Sequence, residues 1–112
     1  MIDEKLSGTP VELTPSFQGS DTDYSTFFRI GKIVVCTVAF PIPAISAWAN
    51  WTSHTGLPSP IYGNSFYACC MADNNRPVYL EILDGGNLRV SVGGTATAAS
   101  FIRGNLVYVA ND

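Results

Sequence analysis

The stretch Tyr24-Ser-Thr-Phe-Phe-Arg-Ile-Gly-Lys-Ile-Val-Val-Cys-Thr-Val-Ala-Phe40 decides how this chain reads. Tyr24–Ile30 and Ile33–Phe40 are crowded with aromatic and β-branched residues. Gly31-Lys32 between them supplies the two-residue link of a β-hairpin. In the second arm Ile33, Val35, Thr37 and Ala39 face one way, and Val34, Cys36, Val38 and Phe40 face the other. Both faces are nearly apolar, which predicts a strand covered on both sides.

Outward from this hairpin the same grammar continues. Thr9–Thr14 reads as a short first strand with Val11 and Leu13 on one face, and Pro15–Asp23 as a polar loop. Pro41–Gly63 reads as a long connection punctuated by Pro41, Pro43, Pro58 and Pro60. Within it, Ala44–Trp51 is the one place where a short helical turn is expected. Asn64–Ala72 and Val78–Leu83 are further strands, with a turn at Asp73-Asn74-Asn75-Arg76 between them. Asp84-Gly85-Gly86-Asn87 is a hairpin turn of the kind that needs positive φ, and Leu88–Val92 pairs back. Ala98–Ile102 and Leu106–Ala110 are expected as two last strands joined through Gly104-Asn105. Many short strands with Gly/Pro/Asn/Asp punctuation predict an all-β fold. The expected architecture is one antiparallel β-sandwich, jelly-roll-like or Greek-key, over residues 9–112, with residues 1–8 as an extension or linker.

Composition narrows the function. The 112 residues carry 13% charged side chains against about 25% in typical domains, with 46% apolar. Such a chain folds rather than staying disordered, and it is short of charge for a free monomer. The net charge of −3 and six scattered Lys and Arg residues argue against nucleic acid, which needs clustered cations. Met1–Gly8 lacks the apolar core of a signal peptide, and Ile33–Ile45 is too short to span a bilayer, so no membrane insertion is expected. The three cysteines, Cys36, Cys69 and Cys70, show no zinc spacing and read as reduced, small hydrophobes. No cofactor motif is present: Gly85-Gly86 and Gly93-Gly94 precede no helix. From Ile33 to Ala72, forty residues contain no Lys, Arg, Asp or Glu. A domain this small cannot easily hide all of them inside itself, so part of the stretch is expected to form a subunit interface.

No catalytic set emerges, and the chain is not expected to be an enzyme. The single histidine, His54, has no acid nearby in sequence and is expected at the surface or against a glycan. Binding residues are easier to nominate. Trp48, Asn50, Trp51, His54 and Tyr62 combine aromatic faces with amide and ring-nitrogen groups. An aromatic ring can pack on the apolar face of a pyranose while polar groups bond its hydroxyls. Asn74, Asn75 and Arg76 add an exposed polar turn able to bond hydroxyls. For Trp48 and Trp51 the competing reading is a plug in the core or in a subunit interface.

Several of these segments resemble the C-terminal head domains of bacteriophage tail fibres and receptor-binding proteins. They are Phe27-Phe28-Arg29-Ile30-Gly31-Lys32-Ile33-Val34-Val35, Gly56-Leu57-Pro58 with Pro60, Asn75-Arg76-Pro77, and Asp84-Gly85-Gly86-Asn87 before Leu88-Arg89-Val90, with Tyr108 near the end. The resemblance implies a homotrimeric sandwich head that binds a saccharide or protein receptor on a bacterial surface, carried on the virion tail and folded in the host cytoplasm. A purely structural trimerising tip and a cellular carbohydrate-binding module are the alternatives.

Overall fold

The computed structural model of the chain describes residues 9–61, 66–72, 76–94 and 100–111, with the backbone alone for 66–71 and 100. Nine strands are described: β1 Val11–Leu13, β2 Ser16–Phe17, β3 Thr26–Ile30, β4 Ile33–Ile42, β5 Asn50–Thr55, β6 Phe66–Met71, β7 Pro77–Leu83, β8 Asn87–Val92 and β9 Ser100–Val109. They form two antiparallel sheets, β1-β3-β4-β9 and β2-β5-β8-β7-β6. The expected β-sandwich is what the chain builds. In the second sheet β6, β7 and β8 follow one another, and β5 lies beside β8, which is a Greek-key connection.

The hairpin that opened the reading is present, with Ile30 paired to Ile33 across Gly31-Lys32. Its second arm is longer than expected. β4 runs on through Pro41 to Ile42 and pairs with β9 over all ten residues, from Ile33↔Val109 to Ile42↔Ser100. Proline is tolerated there because β3 stops opposite Thr37, so no β3 ladder bond is lost at Pro41. The same long partner absorbs Gly104-Asn105. These residues sit in register opposite Val38 and Thr37, so the two expected last strands are one.

Two other expectations are corrected. Pro15–Asp23 is not all loop: β1 and β2 are nearly one segment that changes sheets at Thr14-Pro15, and β2 pairs with β5 through Phe17↔His54. Ala44–Trp51 holds no helix. A tight turn closed by Ala49 N–H to the Ser46 carbonyl (2.9 Å) leads straight into β5. Prolines at 41 and 43 and the pairing partners waiting on β8 outweigh the helix formers Ala44, Ala47 and Ala49.

The core lies between the sheets. Phe27, Val34, Cys36, Val38, Phe40 and Ile42 face Leu80, Ile82, Leu88, Val90 and Val92. β4 is buried on this face only. Its other face, with Ile33 41% exposed, is covered by none of the described residues, so the strand is not covered on both sides as expected. Burial pushes the Cys36 thiol up to about 12, so it stays a neutral packing group. Tyr108 is buried, and its hydroxyl donates to the Pro58 carbonyl at 2.6 Å, tying β9 to the segment after β5. Tyr108→Phe leaves that carbonyl unpaired. It is expected to lower the unfolding free energy by about 1–2 kcal/mol in denaturant titration, with the slope unchanged.

Candidate functional site

The candidate site lies on the outer face of the second sheet, and it begins with an unusual backbone. Trp48 has φ 61°, the one positive φ at a non-glycine residue among those described. A bulky residue in this region is strained and persists only where its surroundings hold it. Here its N–H donates to the Val92 carbonyl at 2.8 Å. Its ring lies directly on Gly93: a β-carbon there would stand 2.6 Å from the indole Cζ2 and 2.9 Å from the Pro77 ring. The strain turns the indole outward, 48% exposed, and lays it beside Tyr79 with centroids 5.1 Å apart and planes 35° from parallel. Tyr79 is itself 46% exposed. Two large rings thus form one continuous apolar platform open to solvent.

Polar groups border the platform. Tyr79, Ser91 and Asn50 are register partners across β7, β8 and β5. The Ser91 hydroxyl donates to Asn50 Oδ1 at 2.5 Å. This leaves the Asn50 amide N–H2 without a partner among the described residues. Arg76 Nε donates to the Gly93 carbonyl at 2.8 Å, beside the Trp48 ring. Its Nη2 is buried with no hydrogen-bond partner among the described residues. One row further along the same face, Arg89 pairs with Glu81, Nε to Oε1 at 3.1 Å. The arrangement offers two aromatic faces, an amide donor and a guanidinium.

Of the nominated residues, the structure brings together Trp48, Asn50 and Arg76, and takes Trp51 and His54 away. Tyr62, Asn74 and Asn75 lie outside the described residues. Tyr79 and Ser91 were missed. The available signal was alternation: in Val78–Leu83, Tyr79 falls on the face opposite Val78, Leu80 and Ile82, which marks it as an exposed aromatic.

Trp51 points inward, edge-on to Phe17 with centroids 6.1 Å apart. It floors a separate cleft of about 320 Å³ at the end of the sandwich, with Pro41, Pro43, Gln18, Ser20 and Asp21 around it.

His54 is not at the surface. It is fully buried, with the Phe17, Phe27 and Phe40 rings at centroid distances of 5.0, 4.8 and 5.1 Å. A bulge between Thr52 and His54 turns both Ser53 and His54 inward. The acid that the sequence neighbourhood lacks comes from Asp23, 31 residues earlier, whose Oδ2 lies 2.7 Å from His54 Nε2. A carboxylate only accepts, so Nε2 donates to it; in the neutral ring Nδ1 then accepts from the Ser53 hydroxyl at 2.8 Å, whose oxygen also lies 3.3 Å from the Leu88 carbonyl. With Ser53 and His54 both shielded from solvent, the Asp23–His54–Ser53 row ties the loop before β3 to β5. Burial lowers the His54 pKa below 6.5 against the opposing pull of Asp23. Burial would raise Asp23, but hydrogen bonds from Ser25 and His54 outweigh it and hold its carboxyl below 3.8.

Among the described residues no helix is long and apolar enough to cross a membrane. No protein-family model, curated protein or solved structure matches this chain.

Proposed function

We propose that this domain is a binding head that docks a saccharide on the Trp48–Tyr79 platform. The observation that carries the reading is Trp48 itself. Its positive φ costs energy while leaving about half of the indole open to solvent beside Tyr79, and a ligand-facing role gives that cost a use. An exposed ring pair suits the apolar C–H face of a pyranose, and the Asn50 amide suits its hydroxyls, with the positive charge of Arg76 close beside the Trp48 ring.

The resemblance to phage tail heads makes the biological version of this proposal a receptor-binding head on a virion tail. As a homotrimer it would present three platforms to a bacterial surface polysaccharide. Weak single sites then suffice, because linked sites gain avidity without any new contact.

The test is a bacterial-polysaccharide array followed by titration of the best binder. Trp48→Ala is expected to weaken binding tenfold or more, about 1.4 kcal/mol, with the thermal midpoint close to wild type because the ring is half exposed. Gly93→Ala, which displaces the same ring from below, is expected to weaken it as well. A purely structural tip module would bind nothing on the array.

A further inference from the structure

The first sheet has an outer face that none of the described residues covers. Register puts Phe28, Val35 and Val107 in one row, and Ile30, Ile33 and Val109 in the next. Phe28 and Ile30 are each 37% exposed, Ile33 41% and Val107 55%. Beyond the Thr26–Thr37–Asn105 row the face continues through Ala39 to Tyr24 and Phe101, whose rings lie 6.2 Å apart. Most soluble antiparallel sheets alternate apolar-in with polar-out, and this one is apolar on both faces.

We infer that this face is where copies of the chain associate, sheet against sheet. Two features favour a second copy as the occupant. The first is size. β4 and β9 are each ten residues long and β1 and β3 are three and five. At about 3.4 Å per residue and about 4.8 Å between strands, the flat footprint is about 450 Å² before side-chain relief. That is a little over half of the roughly 800 Å² per partner of a standard interface; side-chain relief and the Tyr24 and Phe101 rings beyond the strands add to it, and sheets packed face to face bury such a surface whole.

The second is charge. The two inner strands, β3 and β4, carry none on this face, so nothing in them selects a partner of opposite sign. The edges carry opposite signs: Glu12, in the Phe28 row of β1, and Arg103 on β9, stacked over Phe101 at 4.7 Å. Stacking β1 of one copy over β9 of another sets an acidic edge against a basic one. The surface is thereby complementary to itself.

This inference stands apart from the saccharide reading, because the Trp48–Tyr79 platform lies on the opposite side of the sandwich and stays open in the assembly. The test is sedimentation or light-scattering mass of the whole chain across a wide concentration range, in low and high salt. The expected wild-type mass is at least twice the 12.0 kDa of one chain. Phe28→Lys and Val107→Lys are each expected to return it to the single-chain mass. Circular dichroism and the thermal midpoint identify any variant that has lost its fold, and Val35→Lys then serves as a third probe. A wild-type chain at 12.0 kDa throughout overturns the inference. So does a multimer that folded Phe28→Lys and Val107→Lys leave intact.

Discussion

Gly86→Ala is expected to cost about 3–5 kcal/mol of stability, a large share of the roughly 5–15 kcal/mol that holds a domain folded. Gly86 closes the β7–β8 hairpin, with Leu83 paired to Asn87 and its own N–H on the Leu83 carbonyl at 3.0 Å. Its φ is 82°, a region that costs an L-residue about 1–2 kcal/mol. Space adds the larger cost. A β-carbon would stand 1.8 Å from the Leu57 carbonyl oxygen and 2.7 Å from its carbon. Both are backbone atoms, so the Leu57 segment has to move. That movement breaks the Leu57 N–H bond to the Gly86 carbonyl (3.1 Å) and unseats the buried Leu57 side chain. At about 4 °C per kcal/mol for a domain of this size, the midpoint should fall by about 12–20 °C. Gly85→Ala is the internal control. Its φ is 92°, but a β-carbon there meets nothing within 4 Å. It should cost only the backbone penalty of about 1–2 kcal/mol. Equal effects at the two positions would mean that the Leu57–Gly86 contact contributes nothing beyond turn geometry.

The Asp23–His54–Ser53 row carries the second large effect, and it sets how the domain responds to acid. His54→Ala removes a buried ring packed among three phenylalanines and leaves Asp23 and Ser53 without their partner. Large-to-small core changes and lost buried hydrogen bonds together give about 3–4 kcal/mol. The pH dependence follows from the two pKa directions. Folded His54 titrates below its ordinary 6.5, so the unfolded chain binds more protons as pH falls through 6.5. Stability is therefore fully present above that value and declines below it. Asp23 titrates below its ordinary 3.8, so its contribution is complete above 3.8 and is lost as pH falls further. Both act in the same direction. Urea titrations should show a plateau above about pH 7 and a decline starting near pH 6. His54→Phe should flatten the upper part of that decline. An identical acid profile in His54→Phe would place the proton uptake elsewhere.

The sandwich was legible from the sequence because its signals are local. The Gly31-Lys32 turn and the Asp84–Asn87 turn each depend on adjacent residues, and each produced the hairpin expected. What escaped was set by distant partners. β2 is two residues long and exists because β5 lies beside it. Pro41 remains in a strand because β9 pairs along the whole of β4. His54 read as a surface residue because it falls in the long Pro41–Gly63 connection with no acid nearby; strand β5 and its bulge at Ser53 turn it inward instead. Its acid partner lies 31 residues away, beyond any motif window. Within the site, Trp48 and Asn50 could be nominated from aromatic and amide content alone. The separation of Trp48 from Trp51 could not. It depends on one left-handed residue and on Gly93 leaving room beneath the ring, and neither shows in residue type or spacing.

The forty uncharged residues take on a divided meaning. Val34, Cys36, Val38, Phe40, Ile42, Ser53 and His54 are interior to a single chain. Ile33 and Val35 look outward from the first sheet, and Trp48 outward from the second. The surfaces proposed for assembly and recognition, which the sequence placed in one uncharged stretch, fall on opposite faces of the sandwich.

The most direct measurement is the indole N–H signal of each tryptophan, followed by ¹H–¹⁵N spectra while the best-binding polysaccharide fragment is titrated in. The platform account predicts that the Trp48 signal shifts and saturates with the binding curve while the Trp51 signal stays in place. A shift confined to Trp51 would move the site to the cleft beside Asp21, and no shift in either indole would contradict saccharide recognition by this domain.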